Sequence, residues 1–102
     1  MEDVKLQLNE NQHGAFSITD GAEKVGEMVV SVSGKNMIVY HTEVSPKMEG
    51  KGLAKQLLSA MVAYARDHKL KVTPLCPFVH AQFKRHPNDF ADIWNKDTAR
   101  EN

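Results

Sequence analysis

The sequence predicts an α+β fold in which four antiparallel strands are followed by a helix and a parallel fifth strand. Apolar and polar residues alternate from residue 4 to residue 44, interrupted by short turns, as is typical of half-buried antiparallel strands. From Gly50 the apolar spacing changes to three and four residues, which indicates an amphipathic helix. A short apolar run at residues 71–76 follows, and a strand–helix–strand crossover makes it parallel to the fourth strand.

The boundaries of the predicted elements follow from turn residues and helix signals. The four strands are expected at residues 4–8, 16–19, 25–33 and 37–44, with turns at residues 11–14, 20–21 and 34–36. The long helix ends in a turn rich in basic residues, which suits the helix dipole. After the fifth strand we expect a helix at residues 78–85 and a last short helix, capped by Asn88 or Asp89, that continues through Trp94. Residues 1–94 are then a single domain, and residues 95–102 are a polar C-terminal tail.

Composition narrows the class of protein and of partner. The chain has 102 residues, of which 41% are hydrophobic and 25% charged, as in ordinary globular domains. Its 13 Lys and Arg residues balance 13 Asp and Glu residues, which argues against nucleic acid as the main partner. The lone cysteine allows no internal disulfide, and no signal-peptide core or membrane-length apolar run is present. We therefore expect a cytoplasmic protein without a membrane partner and, since His and Cys do not cluster at ligand spacing, without a metal site.

The segment Glu49–Leu58 carries the strongest functional signal. Gly50 and Gly52 lie between the end of a strand and the start of the long helix. The first amides of a helix have no internal partner, and glycine lets a phosphate approach the backbone closely. Lys47, Lys51 and Lys55 add positive charge around this turn. We interpret the segment as a diphosphate-binding turn; the alternative is a tight strand-to-helix turn in which glycine only eases the bend.

The same segment resembles motif A of the GNAT acetyltransferases, Arg/Gln-x-x-Gly-x-Gly/Ala. It matches at Gly52 and Ala54 and departs at Glu49, where the family has Arg or Gln. The later Leu75-Cys76-Pro77-Phe78 is similar to a segment of a very short branch of that superfamily. The resemblance covers residues 25–94. This sequence lacks two parts of the family fold: the pair of helices between the first two strands and the strands after the last helices. Their absence leaves the acceptor side of the site open.

The resemblance implies that the cofactor is acetyl-CoA, which is CoA that carries an acetyl group. In GNAT proteins the fourth and fifth strands separate, and the pantetheine arm lies between them. On this sequence, the residues implied to bind the pantetheine arm between the strands are Thr42, Glu43 and Val44. Those implied around the pyrophosphate are Glu49, Gly50, Lys51, Gly52, Leu53, Ala54 and Lys55. Pro77 and Phe83 are further implied contacts of the cofactor.

Two residues are candidates for catalysis. Cys76 lies before a helix N-terminus, which favours a thiolate that could accept the acetyl group as a thioester. The alternative is that Cys76 is a small buried apolar residue. His41 shares a strand face with Glu43, and an imidazole is suited to remove a proton from an acceptor amine. The alternative for His41 and Glu43 is that they are ordinary solvated side chains at the end of the strand.

These features predict an acetyl-CoA-dependent N-acetyltransferase acting on an unidentified amine, by direct transfer or through a Cys76 acetyl-thioester. The alternative is a CoA- or acyl-CoA-binding module with little or no transferase activity. The missing acceptor elements favour this alternative, as does the lack of a tyrosine on the helix after the fifth strand, where the family usually has its general acid. Tyr40 and Tyr64 are the only tyrosines. We expect a monomer or a weak homodimer.

Overall fold

A computed structural model describes residues 4–96 and contains one five-stranded sheet in the order β1-β2-β3-β4-β5. Strands β1 to β4 pair antiparallel with their neighbours, and β5 pairs parallel with β4. The predicted fold class is therefore confirmed. The strands are β1 (Val4–Leu8), β2 (His13–Asp20), β3 (Glu23–Ser33), β4 (Asn36–Val44) and β5 (Lys71–Pro74).

One long helix forms the crossover between β4 and β5, and two shorter helices follow β5. A single 3₁₀ turn follows β4, and the long helix α1 connects β4 to β5. The structure has α1 begin at Leu53 rather than at Gly50, because both glycines of the turn adopt positive φ. None of the helices in residues 4–96 is long and apolar enough to cross a membrane. The bounds are Pro46–Met48 for the 3₁₀ turn, Leu53–Asp67 for α1, Pro77–Arg85 for α2 and Pro87–Phe90 for α3.

The turn between β1 and β2 is tighter than predicted. The side-chain oxygen of Asn9 accepts hydrogen bonds from the backbone of Asn11 and His13, so β2 begins already at His13. Gly14, expected in the turn, pairs inside β2, where an added Cβ would collide with the carbonyl oxygen of Gln7. The connection between β1 and β2 therefore consists of a few residues and leaves no room for a helix.

The hydrophobic core lies between α1 and one face of the sheet, called here the inner face. Alternate residues of β2, β3 and β4 point to this face, and the apolar stripe of α1 packs against them. Burying one such side chain contributes about 1.5–3 kcal/mol, so this interface is the main source of stability. Its fully buried residues include Ile18, Met28, Val30, Met37, Val39, Leu57, Met61 and Ala65. The opposite side of the sheet is called the outer face.

The chain beyond α3 completes the sheet instead of continuing as a helix. The backbone N–H of Val72 donates to Ile93 at 2.6 Å, and the N–H of Asn95 donates to Val72 at 2.8 Å. The predicted helix through Trp94 is therefore wrong: α3 starts early, at Pro87, and Trp94 forms a parallel bridge with β5. Asn95, expected in the tail, belongs to the fold, whereas residues 97–102 of that tail lie outside the described residues.

Candidate active site

Strands β4 and β5 separate after Val39, and the gap between them is the centre of the candidate site. The parallel pairing ends where Val39 faces Pro74. The N–H of Cys76 still donates to the carbonyl of Val39 at 2.9 Å, and then α2 turns away while β4 continues to Val44. The fifth strand therefore stops at Pro74 and not at Cys76 as predicted, because its partner strand diverges there.

A β-bulge in β4 coincides with this separation. Val30 of β3 lies opposite Val39, but its neighbour Val29 lies opposite His41. Tyr40 is thus an extra residue in β4, and both Tyr40 and His41 are exposed. The sequence carries a signal for this bulge that the prediction missed: the inward positions of β4 change from odd to even numbers after Val39.

The second half of β4 presents free backbone groups to the gap. The N–H of Ser45 donates to the carbonyl of Val25 at 2.8 Å, which fixes the odd-numbered residues as the ones bonded to β3. By alternation, the N–H and C=O groups of Thr42 and Val44 point into the gap. The contact of Glu43 with a cofactor stays a prediction: its backbone faces β3, and its side chain lies opposite Glu27 on the outer face.

The turn after β4 has the backbone geometry of an anion site. Gly50 and Gly52 have φ values of 83° and 78°, a left-handed conformation that favours glycine. An added Cβ at either glycine would meet nothing within 4 Å, so the space above the turn is open. The first backbone bond at this end of the helix runs from Gln56 to Gly52, and no side chain caps the helix. The amides of residues 53–55 therefore have no partner within α1 and are available to a phosphate.

The three lysines near this turn do not act alike. Lys47 lies 2.8 Å from the Glu23 carboxylate, and this hydrogen bond and charge raise the pKa of Lys47 above its usual value. The pair ties the turn to the start of β3. Within residues 4–96, Lys51 and Lys55 form no ion pair, so they are the two cations free to approach an anion at the turn. Glu49, the departure from the motif, is exposed.

Cys76 lies at the inner end of the gap. It is the residue before the first turn of α2, and only 2% of its surface is exposed. Its Sγ lies 3.3 Å from the hydroxyl of Thr42, across the gap. Cys76 is therefore buried, as one interpretation expects, and it lies against a residue whose backbone borders the gap; its role as a nucleophile stays a prediction.

His41 and Glu43 lie together on the outer face. The Nε2 atom of His41 is 3.9 Å from the Glu43 carboxylate, and both side chains are mostly exposed. Within residues 4–96, no three His, Cys, Asp or Glu side chains are grouped so that they could hold a metal ion.

Three of the other proposed cofactor residues have different environments. Phe83 is fully buried, with its ring stacked on Phe90 at 4.8 Å, so it packs in the core, and its contact with a cofactor stays a prediction. The side chain of Leu53 is also buried, which leaves only its amide for a ligand. Pro77 is exposed and lines an open groove of about 450 Å³ along α2, together with His80, Ala81, Lys84 and Arg85.

The comparisons with known proteins agree with this arrangement. A family model described as GCN5-related N-acetyl-transferase matches residues 15–93. Among solved structures, a GCN5-like protein from Staphylococcus aureus is 27% identical, with a TM-score of 0.66 and 93% of this chain and 91% of that chain covered. A search of the curated proteins finds no significant match.

Two larger enzymes share the fold at lower identity. The ribosomal-protein-alanine N-acetyltransferase from Brucella melitensis is 17% identical, with a TM-score of 0.64 and coverage of 76% of this chain and 62% of that chain. The ribosomal-protein-S18-alanine N-acetyltransferase from Escherichia coli is 13% identical, with a TM-score of 0.59 and coverage of 65% and 43%. The chain thus spans less than two thirds of either enzyme. The family match over residues 15–93, with which the separated strands and the glycine turn agree, shows that the chain belongs to the GCN5-related N-acetyltransferase family.

Proposed function

We propose that this protein uses acetyl-CoA to acetylate an amine. The observation that carries the proposal is the position of the turn at Gly50 and Gly52, which directly follows the strand that separates from β5. An extended thiol-bearing chain ending in a diphosphate needs both features at once: an unpaired strand edge and a cluster of free amides. CoA has that shape and chemistry.

The backbone groups that lack partners support the following arrangement of the cofactor in this proposal. The pyrophosphate binds the free amides at residues 50–55, with Lys51 and Lys55 supplying positive charge. The amide groups of the pantetheine arm bond to Thr42 and Val44 like an added strand. The thioester then lies at the inner end of the gap, close to Val39 and Cys76.

Direct transfer is the route that we propose. The acceptor nitrogen attacks the thioester carbonyl, the new C–N bond forms, and the C–S bond to CoA breaks. The amine gives up one proton, which His41 accepts directly or through water, and the departing CoA thiolate takes a proton from water. Burial of Cys76 to 2% exposure and its contact with Thr42 favour this route, because neither helps the thiol to act as a nucleophile.

The second route passes through an acetyl-thioester on Cys76. Here Sγ attacks the carbonyl carbon, a new C–S bond forms as the bond to CoA breaks, and the thiol proton passes to the leaving CoA sulfur. The amine then displaces Cys76, which regains a proton. The position of Cys76 directly before the first turn of α2, at the inner end of the gap, supports this route.

An amide NMR titration tests the cofactor site. Acetyl-CoA and CoA, added separately, are expected to shift the amides of Thr42, Val44 and residues 50–55. The same concentration of ATP, which has phosphates but no pantetheine, is the control and is expected to leave Thr42 and Val44 unchanged. The absence of shifts at millimolar acetyl-CoA would overturn the proposal.

A transfer assay separates the enzyme from a binding module. Release of free CoA thiol in the presence of lysine peptides, polyamines and peptides with a free N-terminus is expected to exceed the rate without acceptor. Cofactor binding without transfer to any of these acceptors would instead favour a CoA-binding module. The lack of a tyrosine on α2, within the described residues, is the observation behind that second function.

A further inference from the structure

The two edges of the sheet differ in the partners of their backbone groups. Beside β5, the chain at residues 93–95 supplies partners for Val72. β1 is the strand at the other edge, and within residues 4–96 no backbone hydrogen bond reaches the side of β1 that faces away from β2. β1 also carries neither a proline nor a bulge, two features that protect a sheet edge in many proteins. It is therefore an open edge that a further strand can extend.

The pairing with β2 fixes which backbone groups of β1 lie at this open edge. The N–H of Asn9 donates to the carbonyl of His13 at 2.8 Å, so the odd-numbered residues are the ones bonded to β2. By alternation, the N–H and C=O groups of Val4, Leu6 and Leu8 point away from β2. Each of these residues thus offers a donor and an acceptor to a neighbouring strand.

The side chains of β1 form an apolar row on one face and a polar row on the other. Val4, Leu6 and Leu8 lie on the inner face, where they pack against the core but stay partly exposed. The helix α1 packs mainly over β2, β3 and β4, so it does not cover this row fully. Lys5 and Gln7 are exposed on the outer face. A strand added at this edge therefore buries more apolar surface if its own alternation is the same as that of β1.

We propose that two copies of this chain associate by antiparallel pairing of their β1 strands, with the two-fold axis at Leu6. This register pairs Val4 with Leu8 of the partner copy and Leu6 with its own counterpart, so all three outward residues gain partners. Lys5 then lies opposite Gln7 of the partner copy, whereas an axis at Lys5 would place two ammonium groups opposite each other. The alternation of both strands matches, so the two sheets join into one.

The helices leave room for this arrangement. A two-fold axis perpendicular to the sheet keeps both α1 helices on the same side. The β2 strands of the two copies are then three strand spacings apart, about 14 Å. Since α1 lies mainly over β2 to β4, the two helices do not collide, because packed helices need only about 8–10 Å between their axes. The partly exposed apolar rows of both copies meet between the helices, and their burial adds to the backbone hydrogen bonds.

Sedimentation equilibrium of the full chain tests the association, and an isotope-filtered NOE experiment tests its geometry. We expect a monomer–dimer equilibrium between about 10 μM and about 1 mM protein. In a mixture of labelled and unlabelled protein, we expect an intermolecular NOE between the Hα protons of Lys5 and Gln7. These residues occupy a non-hydrogen-bonded position of the antiparallel pair, where the Cα atoms are about 4.5 Å apart. A monomer at every concentration, or a dimer without this NOE, would overturn the inference.

Substitutions of the exposed Gln7 test the register through charge. Gln7→Glu places a carboxylate opposite Lys5 of the partner copy and is expected to tighten the dimer roughly two- to ten-fold, whereas Gln7→Lys is expected to weaken it by a similar factor. Ser59→Glu, on the exposed side of α1, changes the net charge as Gln7→Glu does and is expected to leave the Kd of dimerisation unchanged. Amide spectra of each variant establish that it is folded. Equal effects of Gln7→Glu and Ser59→Glu, or of Gln7→Glu and Gln7→Lys, would contradict the proposed pairing.

Discussion

Thr42 and Cys76 are joined across the gap between β4 and β5 by a contact of 3.3 Å between the hydroxyl and the thiol. One side chain comes from the diverging strand and the other from the start of α2. The contact therefore connects the two walls at the depth where the thioester of a bound cofactor is expected. Substitutions at this pair report on both the mechanism and the shape of the gap.

Replacing Cys76 by alanine distinguishes the two routes of acetyl transfer. Because direct transfer needs no thiol, we expect Cys76→Ala to retain activity within about three-fold, with a stability loss of about 1 kcal/mol. Intact mass spectrometry of the wild type with acetyl-CoA is expected to show no stable acetyl adduct. Thr42→Val, which removes only the hydroxyl of the contact, is the control. A hundred-fold loss in Cys76→Ala together with an adduct in the wild type would establish the thioester route.

Replacing Gly52 by alanine probes the anion site. The left-handed φ of 78° makes any side chain unfavourable by about 1–2 kcal/mol, and the new methyl group enters the open space above the turn. We expect both lower stability and weaker acetyl-CoA binding, measured by denaturant unfolding and calorimetry. Gly34→Ala is the matched control, because its φ is 60° and its surroundings are equally open. A similar loss of acetyl-CoA affinity in both variants would show that the turn at Gly52 is not the anion site for this ligand.

Replacing Phe83 by alanine should affect folding and not the cofactor. Its ring is fully buried between Phe90 and Trp94, so the truncation is expected to cost about 3–5 kcal/mol. The Kd for acetyl-CoA, measured under conditions in which the variant is folded, should be unchanged. Phe83→Leu supplies a milder variant for that comparison. A selective loss of binding in Phe83→Leu would restore Phe83 to the cofactor site.

Arg66 and Asp92 predict an acid-sensitive component of stability. The hydrogen bond and charge of Arg66, at 2.9 Å, hold the pKa of Asp92 below its usual value. A lowered folded pKa contributes stability above the unfolded value of 3.8, and this contribution is lost as the pH falls through the folded pKa. Both side chains are about half exposed, at 47% and 57%, so the contribution is at most about 1 kcal/mol.

Asp92→Asn measures that component. Compared with the wild type, it should be less stable at pH 6 in urea unfolding, and the difference should shrink toward pH 2. Asp67→Asn removes a carboxylate whose neighbour is His68 at 3.9 Å and serves as the control. A difference between Asp92→Asn and the wild type that is constant with pH would show that Asp92 acts through something other than its charge.

The local pattern of apolar residues was sufficient to predict the order of the strands and helices. The two-residue alternation of β1 to β4 and the stripe of α1 follow from burial on one side, so they are visible in the sequence. The turn at Gly50 and Gly52 was also visible in the sequence, because its left-handed backbone favours glycine. The packing of Phe83 could not be read from the sequence. Its position in the chain does not distinguish a ring in the core from a ring at a ligand, and only the fold brings Phe90 and Trp94 against it.

The end of β5 and the bulge of β4 illustrate a second difficulty. Whether β5 stops at Pro74 or at Cys76 is decided by the direction of β4, since a strand exists only with a partner. The parity change after Val39 marks the bulge in the sequence, but it becomes meaningful only once Val29 and Val30 provide a register. Sequence patterns therefore located the glycine turn better than they located the bulge of β4 and the end of β5.

The pairing of Val72 with residues 93–95 also constrains how the chain folds. The edge of β5 that does not face β4 gains its partners only from a segment some twenty residues later in the chain. Until that segment docks, the edge is unpaired, and another unfolded chain can bind it. Docking of residues 93–95 therefore protects the folding chain from misassembly, and a variant that slows this step would lengthen the interval in which aggregation competes with folding.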